Sequence, residues 1–158
     1  MAKKALEGVR VIEFGLYLAL PLATRMLAAL GAEVIKVETL TSLDMSWFGP
    51  MYAPGCLQLE YRPLKRNVTL DVRQPKGKEI MEKLIKKSDV FTTNLGEGFL
   101  TKFGLDFKHV QSLKKDLIIL WQTGLGSVGP YGGFKAYGRL MQHACAISSM
   151  SGTPDNLG

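Results

Sequence analysis

Val9-Arg-Val-Ile-Glu-Phe14, Gly15-Leu-Tyr-Leu-Ala-Leu20, Pro21-Leu-Ala-Thr-Arg-Met-Leu-Ala-Ala-Leu30 and Glu33-Val-Ile-Lys-Val-Glu38 follow one another as strand, loop, helix and strand. The two apolar runs have strand length, and the stretch between them carries a helical stripe. A nucleotide-binding α/β domain begins this way, with its ligand outside the carboxyl ends of the strands. A dinucleotide site needs G-x-G-x-x-G in the first loop, so that the backbone can approach a pyrophosphate. Gly15 is the only glycine there. The opening therefore predicts a Rossmann-like architecture without the usual dinucleotide fingerprint.

The pattern continues along the chain. Val68–Val72, Asp89–Asn94 and Leu117–Gln122 read as strands. Pro75 opens a helix to Lys87, because its missing N–H costs nothing at the first helical position. Ile80, Met81, Leu84 and Ile85 supply that helix's buried stripe. A short helix to Phe103, another from Asp106 to Lys115 and a last one from Tyr137 to Met150 complete the reading. Strands alternate with helices and look covered on both faces, which predicts an α/β, doubly wound, mainly parallel sheet. A final helix with no strand after it predicts an incomplete sheet, the front part of something longer. Between Glu38 and Val68 lies an irregular stretch with turn signals at Gly49-Pro50 and Pro54-Gly55.

Composition narrows the function classes. At 158 residues the chain has room for about one domain with a real core. Cys56 and Cys145, with His109 and His143 as the only histidines, make neither a disulfide framework nor a metal centre. That usage fits a reducing, cytoplasmic setting. Lys3 and Lys4 before the apolar run Leu16–Ala23 imitate a secretory signal, but Glu7, Glu13 and Arg25 interrupt it. No run of 18 apolar residues free of charge exists, which argues against a membrane span.

The formal charge of +6 is concentrated. Residues 62–87 hold nine lysines and arginines against three acids, a local +6 equal to the whole excess. An anionic small molecule is a fair partner for such a stretch, with no feature demanding nucleic acid. From Lys76 to Lys87 a solvated helix face is the competing reading, since Glu79–Lys83 and Glu82–Lys86 are i,i+4 pairs in the favourable order. Lys65 and Arg66 stand before a strand with no local acid.

Other motifs are weaker. Gly124-Leu-Gly-Ser-Val-Gly129 matches G-x-G-x-x-G, but Pro130-Tyr-Gly-Gly133 follows where a helix should start. A loop that covers a ligand is the better reading. Ser127 lacks the spacing of a nucleophile elbow, and His143 and Cys145 point to different sides of a helix. Glu38 ends the second strand, where an acid could meet a ribose or anchor a loop. Asn94 and Gly96 stand at a strand's carboxyl end, the edge where such sheets bind ligands.

Taken in order, the strings Leu6-Glu-Gly-Val-Arg-Val-Ile-Glu-Phe14, Ala28-Ala-Leu-Gly-Ala-Glu-Val-Ile-Lys-Val-Glu38, Lys65-Arg-Asn-Val-Thr-Leu-Asp71, Pro75-Lys-Gly-Lys-Glu79, Ser88-Asp-Val90, Gly129-Pro-Tyr131 and Ser151-Gly152 resemble the class III CoA-transferases. That family includes formyl-CoA and carnitinyl-CoA transferases and related acyl-CoA racemases. The resemblance implies a CoA site with Tyr17, Leu18 and Ala19 in the first loop and Thr39 after the second strand. It further implies Lys65 and Arg66 before the third strand, Asn94, Leu95 and Gly96 at a strand end, then Lys102 and Tyr137. Coenzyme A or acyl-CoA enters as substrate rather than as a resident cofactor, with a carboxylic acid as the other partner.

The chain departs from the family pattern at several places. Relatives have Ala-Gly-Pro in the first loop where Ala19-Leu-Pro21 stands, and an Asn-rich approach to the Lys-Arg pair where Arg62-Pro-Leu64 stands. A basic residue often replaces Thr39, and Gln-x-x-Ser-Gly often replaces Gln142-His-Ala-Cys-Ala146. Racemases carry a catalytic His where Tyr137 stands, so racemisation is disfavoured. In the transferases an aspartate attacks the thioester, giving an acyl anhydride and then an aspartyl-CoA thioester. That aspartate lies beyond the turn matched to Ser151-Gly152, so no catalytic residue is expected in residues 1–158. The resemblance thus implies the N-terminal portion of a CoA-binding domain from a larger two-domain fold with interlaced dimers, as homodimer or heteromer. A catalytically silent CoA-binding subunit is the alternative, and an unrelated nucleotide-dependent α/β enzyme is a third reading.

Overall fold

The computed structural model describes residues 3–39, 60–153 and 156–157; the turn signals at Gly49-Pro50 and Pro54-Gly55, Cys56 and Asp155 lie outside them. The chain divides into two compact units, Met1–Gln122 and Thr123–Gly158.

In the first unit five strands form one sheet: β1 (Arg10–Phe14), β2 (Glu33–Glu38), β3 (Arg66–Thr69), β4 (Val90–Thr93) and β5 (Ile118–Trp121). All are parallel, in the order β3-β2-β1-β4-β5. This is an α/β sheet of the Rossmann order, and its direction reverses between β1 and β4. The register places Glu13 beside Lys36 on one side and Thr92 on the other.

Alternation along the strands separates two faces. On the larger face Ile12, Phe14, Val37 and Phe91 pack with Met81 and Ile85 of α2 (Pro75–Lys86), Leu100 of α3 (Glu97–Lys102) and Val110 of α4 (Phe107–Leu113). The other face is apolar only in its lower half, where Val11 and Val34 meet Ala28 of α1 (Ala19–Ala29) and Ala32. Its upper half, toward the carboxyl edge, is ionic.

Local chemistry sets the helix ends. α1 begins at Ala19, two residues before the expected Pro21, with Leu18 capping through its backbone alone. Pro21 then falls in the first turn, where the lack of an N–H is tolerated. α2 has Pro75 in its first turn, and Gly77 presses on the carbonyl of Asp71, where a Cβ would collide. Met81 and Ile85 of the expected stripe are fully buried and Leu84 packs against the core, but Ile80 is exposed. Asp106 caps α4 by accepting the His109 N–H at 3.0 Å. β5 also differs from expectation: Ile118 and Leu120 are exposed, so the edge strand is less covered than β1 and β4.

The second unit holds the glycine-rich loop, α5 (Gly138–Ala144), a 3₁₀ turn at Ser148–Met150, and β6 (Gly152–Thr153) paired antiparallel with β7 (Asn156–Leu157). The helix expected to run to Met150 stops at Ala144 because Ala146 adopts φ 59°, outside the helical region.

Candidate functional site

The crevice between β1 and β4 is where the strand order reverses, and such a crevice is the ligand position of open α/β sheets. Two segments border it: residues 15–18 after β1 and residues 94–96 after β4. One side chain joins them. The Leu16 N–H donates to Asn94 Oδ1 at 2.9 Å, and Asn94 Nδ2 donates to the Leu16 carbonyl at 2.7 Å. One partner is an acceptor and the other a donor, which fixes the orientation of the carboxamide. Tyr17, the next residue, has φ 64°, a left-handed conformation uncommon for a bulky side chain. Tyr17 and Leu18 are 38% and 43% exposed. On the β4 side Trp121 Nε1 donates to the Leu95 carbonyl at 2.9 Å, and the Leu95 N–H donates to Thr93 Oγ1 at 3.2 Å. The 94–96 segment is therefore tied to the sheet beneath it.

Under the first loop lies the ionic half of the α1 face. Glu13, fully buried, accepts from Lys65 Nζ at 2.7 Å, Thr24 Oγ1 at 2.5 Å and Lys36 Nζ at 3.2 Å. Lys65 Nζ also donates to Thr24 Oγ1 at 2.8 Å and to the Pro21 carbonyl at 2.7 Å. The ammonium has three protons and three acceptors, and its side chain is 0% exposed. Burial pushes the Lys65 ammonium below its ordinary value, and the adjacent Glu13 carboxylate opposes that push. Lys65 thus ties the first turn of α1 to β1.

The sequence-predicted residues fall into distinct places. Tyr17, Leu18 and Ala19 form the loop and the start of α1, and Asn94, Leu95 and Gly96 face them across the crevice. Thr39 follows β2 directly. Arg66 opens β3 and is 78% exposed, but its guanidinium pairs with Glu33 at 2.9 Å, at the amino edge of the sheet. It is thus at the opposite edge from the crevice. Lys102 ends α3 and lines an open concavity of about 380 Å³ with Arg73, Pro75, Lys78, Phe103 and Gly104. Arg73 there is held bidentately by Asp71, at 2.8 Å twice. Tyr137 belongs to the second unit, as the N-cap of α5. Glu38 receives the Arg62 guanidinium, as a loop-anchoring carboxylate would.

Sequence reasoning missed Glu13, Thr24 and Lys36. A signal existed. A lone Glu in Val-Ile-Glu-Phe and a lone Lys in Val-Ile-Lys-Val interrupt strands read as buried on both faces, and buried charges need partners.

With this geometry in view, comparison with known proteins is informative. Residues 6–157 match CoA-transferase family III. The chain belongs to this family. It is 37% identical over 157 residues to a formyl-CoA:oxalate CoA-transferase from Bradyrhizobium sp. (strain ORS 278), covering 98% of this chain and 37% of that protein. A succinate–glutarate CoA-transferase from Agrobacterium fabrum is 35% identical over 163 residues, covering 97% and 40%. Among solved structures, a CAIB/BAIF family protein from Brucella suis superposes with a TM-score of 0.86 at 30% identity, covering 99% of this chain and 43% of its own. The chain thus spans about two fifths of the length of the relatives it matches. No helix among the described residues is long and apolar enough to cross a membrane.

Proposed function

We propose that this chain is the CoA-binding part of a class III CoA-transferase, which moves CoA between an acyl-CoA thioester and a free carboxylic acid. The observation that carries the reading is the crevice between β1 and β4, in a chain whose family is CoA-transferase III. Residues 15–19 and 94–96 flank it, and exposed Tyr17 and Leu18 offer apolar surface to a pantetheine arm. Ala19 opens an eleven-residue helix with no acid in its first turn, which favours a phosphate nearby. Thr39 stands at the same carboxyl edge. Lys102 and Lys78 face a concavity able to attract the nucleotide phosphates. Lys65 contributes from beneath by fixing α1.

The chemistry of such an exchange needs a nucleophile that holds the acyl group while CoA stays bound. An aspartate in that role would form an acyl anhydride and release CoA thiolate. The thiolate would then attack the aspartyl carbonyl, expelling the donor carboxylate and leaving an aspartyl-CoA thioester. The acceptor carboxylate would displace CoA thiolate to form a second anhydride, and the thiolate would take its acyl group and free the aspartate. In this reading the aspartate falls in the part of the relatives' length that residues 1–158 do not span, and the enzyme works as a dimer in the cytoplasm.

Calorimetric titration tests the binding step. CoA is expected to bind saturably and NAD not to bind, with Lys102→Ala weakening CoA about tenfold. Binding of NAD in preference to CoA would refute the reading. Acyl transfer from formyl-CoA or succinyl-CoA separates an active chain from a silent CoA-binding subunit.

A further inference from the structure

The carboxamide of Asn94 is engaged through both its oxygen and its nitrogen. It spans the mouth of the crevice and is matched to both polar groups of Leu16, across 78 residues of sequence. Gly15 makes this possible. A Cβ at Gly15 would lie 2.5 Å from Asn94 Oδ1 and would collide with Leu20 Cδ2. The lone glycine of the first loop therefore makes room for a side chain, whereas the glycines of a dinucleotide fingerprint make room for a pyrophosphate. Immediately after the clamped Leu16, Tyr17 is held at φ 64°. A tyrosine stays in that region only where its surroundings over-determine it. Trp121 and Thr93 immobilise Leu95 and so give Asn94 a fixed base. At the other end of the loop, Lys65 fixes Pro21 and Thr24. The loop is pinned at both ends, and its exposed middle, Tyr17 and Leu18, is set by those pins.

We propose that Asn94 is a positioning residue: its carboxamide shapes loop 15–18 for the acyl-CoA instead of contacting the acyl-CoA. The inference rests on the CoA reading above, and two independent readouts separate the two.

The first readout is amide hydrogen exchange in the absence of ligand. In Asn94→Ala the Leu16 amide is expected to exchange at least about tenfold faster, while Val11 and Ile12 in β1 keep their protection. Unchanged protection of Leu16 would overturn the clamp whether or not CoA binds. Loss of protection in β1 as well would mark a folding defect; Asn94→Asp then decides, because its carboxyl keeps the size of the amide.

The second readout is CoA affinity of Asn94→Asp relative to wild type across pH. An ionised carboxylate still accepts from the Leu16 N–H but repels the Leu16 carbonyl, so affinity is expected to fall about tenfold to a hundredfold at pH 8. Protonation restores the missing donor, so the gap to wild type is expected to close as the pH falls toward about 5. Recovery of affinity at low pH without recovery of the Leu16 amide's protection would point to a direct contact with CoA and overturn the proposal, as would no loss at all. Absence of CoA binding by wild type would refute the CoA reading alone, and the exchange experiment would still decide the clamp.

Discussion

Glu13 and Glu79 are each held by two lysines, at 3.2 and 2.7 Å in one case and 3.0 and 2.6 Å in the other. Their surroundings differ completely. Glu13, Lys36 and Lys65 are at most 2% exposed, whereas Glu79, Lys76 and Lys83 stand in solvent on α2. The buried group sets two ammonium groups on one carboxylate, with Glu38 3.9 Å from Lys36, and removing Glu13 would leave Lys65 with neutral acceptors in its place. The surface group can exchange its partners for water at almost no cost. Equal distances therefore describe a scaffold in one place and a solvated face in the other. They also sort the lysines that an anionic ligand could recruit: Lys65 is spent on the fold, whereas Lys78 meets Glu82 at 3.9 Å near the surface and Lys102 lines the open concavity.

The largest effect is expected from Glu13→Ala, which should cost about 3–5 kcal/mol in urea unfolding because it removes the carboxylate shared by the buried Lys65 and Lys36 ammoniums. That is a large part of the stability of an ordinary domain. A loss below about 1 kcal/mol would break the comparison. Lys65→Met should cost less, about 1–3 kcal/mol, since Lys36 remains on Glu13 while Glu13, Thr24 and the Pro21 carbonyl each lose one partner. The same variant carries a pH signature. The folded chain binds the Lys65 proton less tightly than the unfolded chain does. Wild-type stability relative to Lys65→Met should therefore rise with pH between the lowered folded value and 10.5. A relative fall over that window would contradict the assigned burial.

Glu79→Gln should lower the urea midpoint at pH 7 only slightly, because solvent screens the exposed pairs. The Lys83 and Lys76 ammoniums hold the Glu79 carboxyl down to about 2, from 4.5. Its contribution is present above 4.5 and is lost as pH falls toward 2. About 1 M salt should return this titration toward its ordinary range and leave the Glu13→Ala deficit unchanged. Equal salt sensitivity at the two sites would remove the distinction.

The β1–α1–β2 unit was legible because its apolar periods are clean and its charges few, and the parallel order followed from alternation of strands and helices. Asn94 was legible as a strand-end polar residue, but its engagement with Leu16 was not. That bond depends on β1 and β4 lying side by side, an adjacency that no local pattern encodes. Lys65 and Arg66 read as one basic pair, yet alternation sends them apart, Lys65 into the α1 face and Arg66 to Glu33. The shared cause is strand geometry: neighbours in sequence face opposite sides.

Backbone amide shifts during a CoA titration test the central claim most directly. Saturable shifts are expected at residues 16–19 and 94–96, on both sides of the β1–β4 crevice, and none from NAD. Shifts confined to the exposed face of α2, or no saturable shift at all, would contradict it.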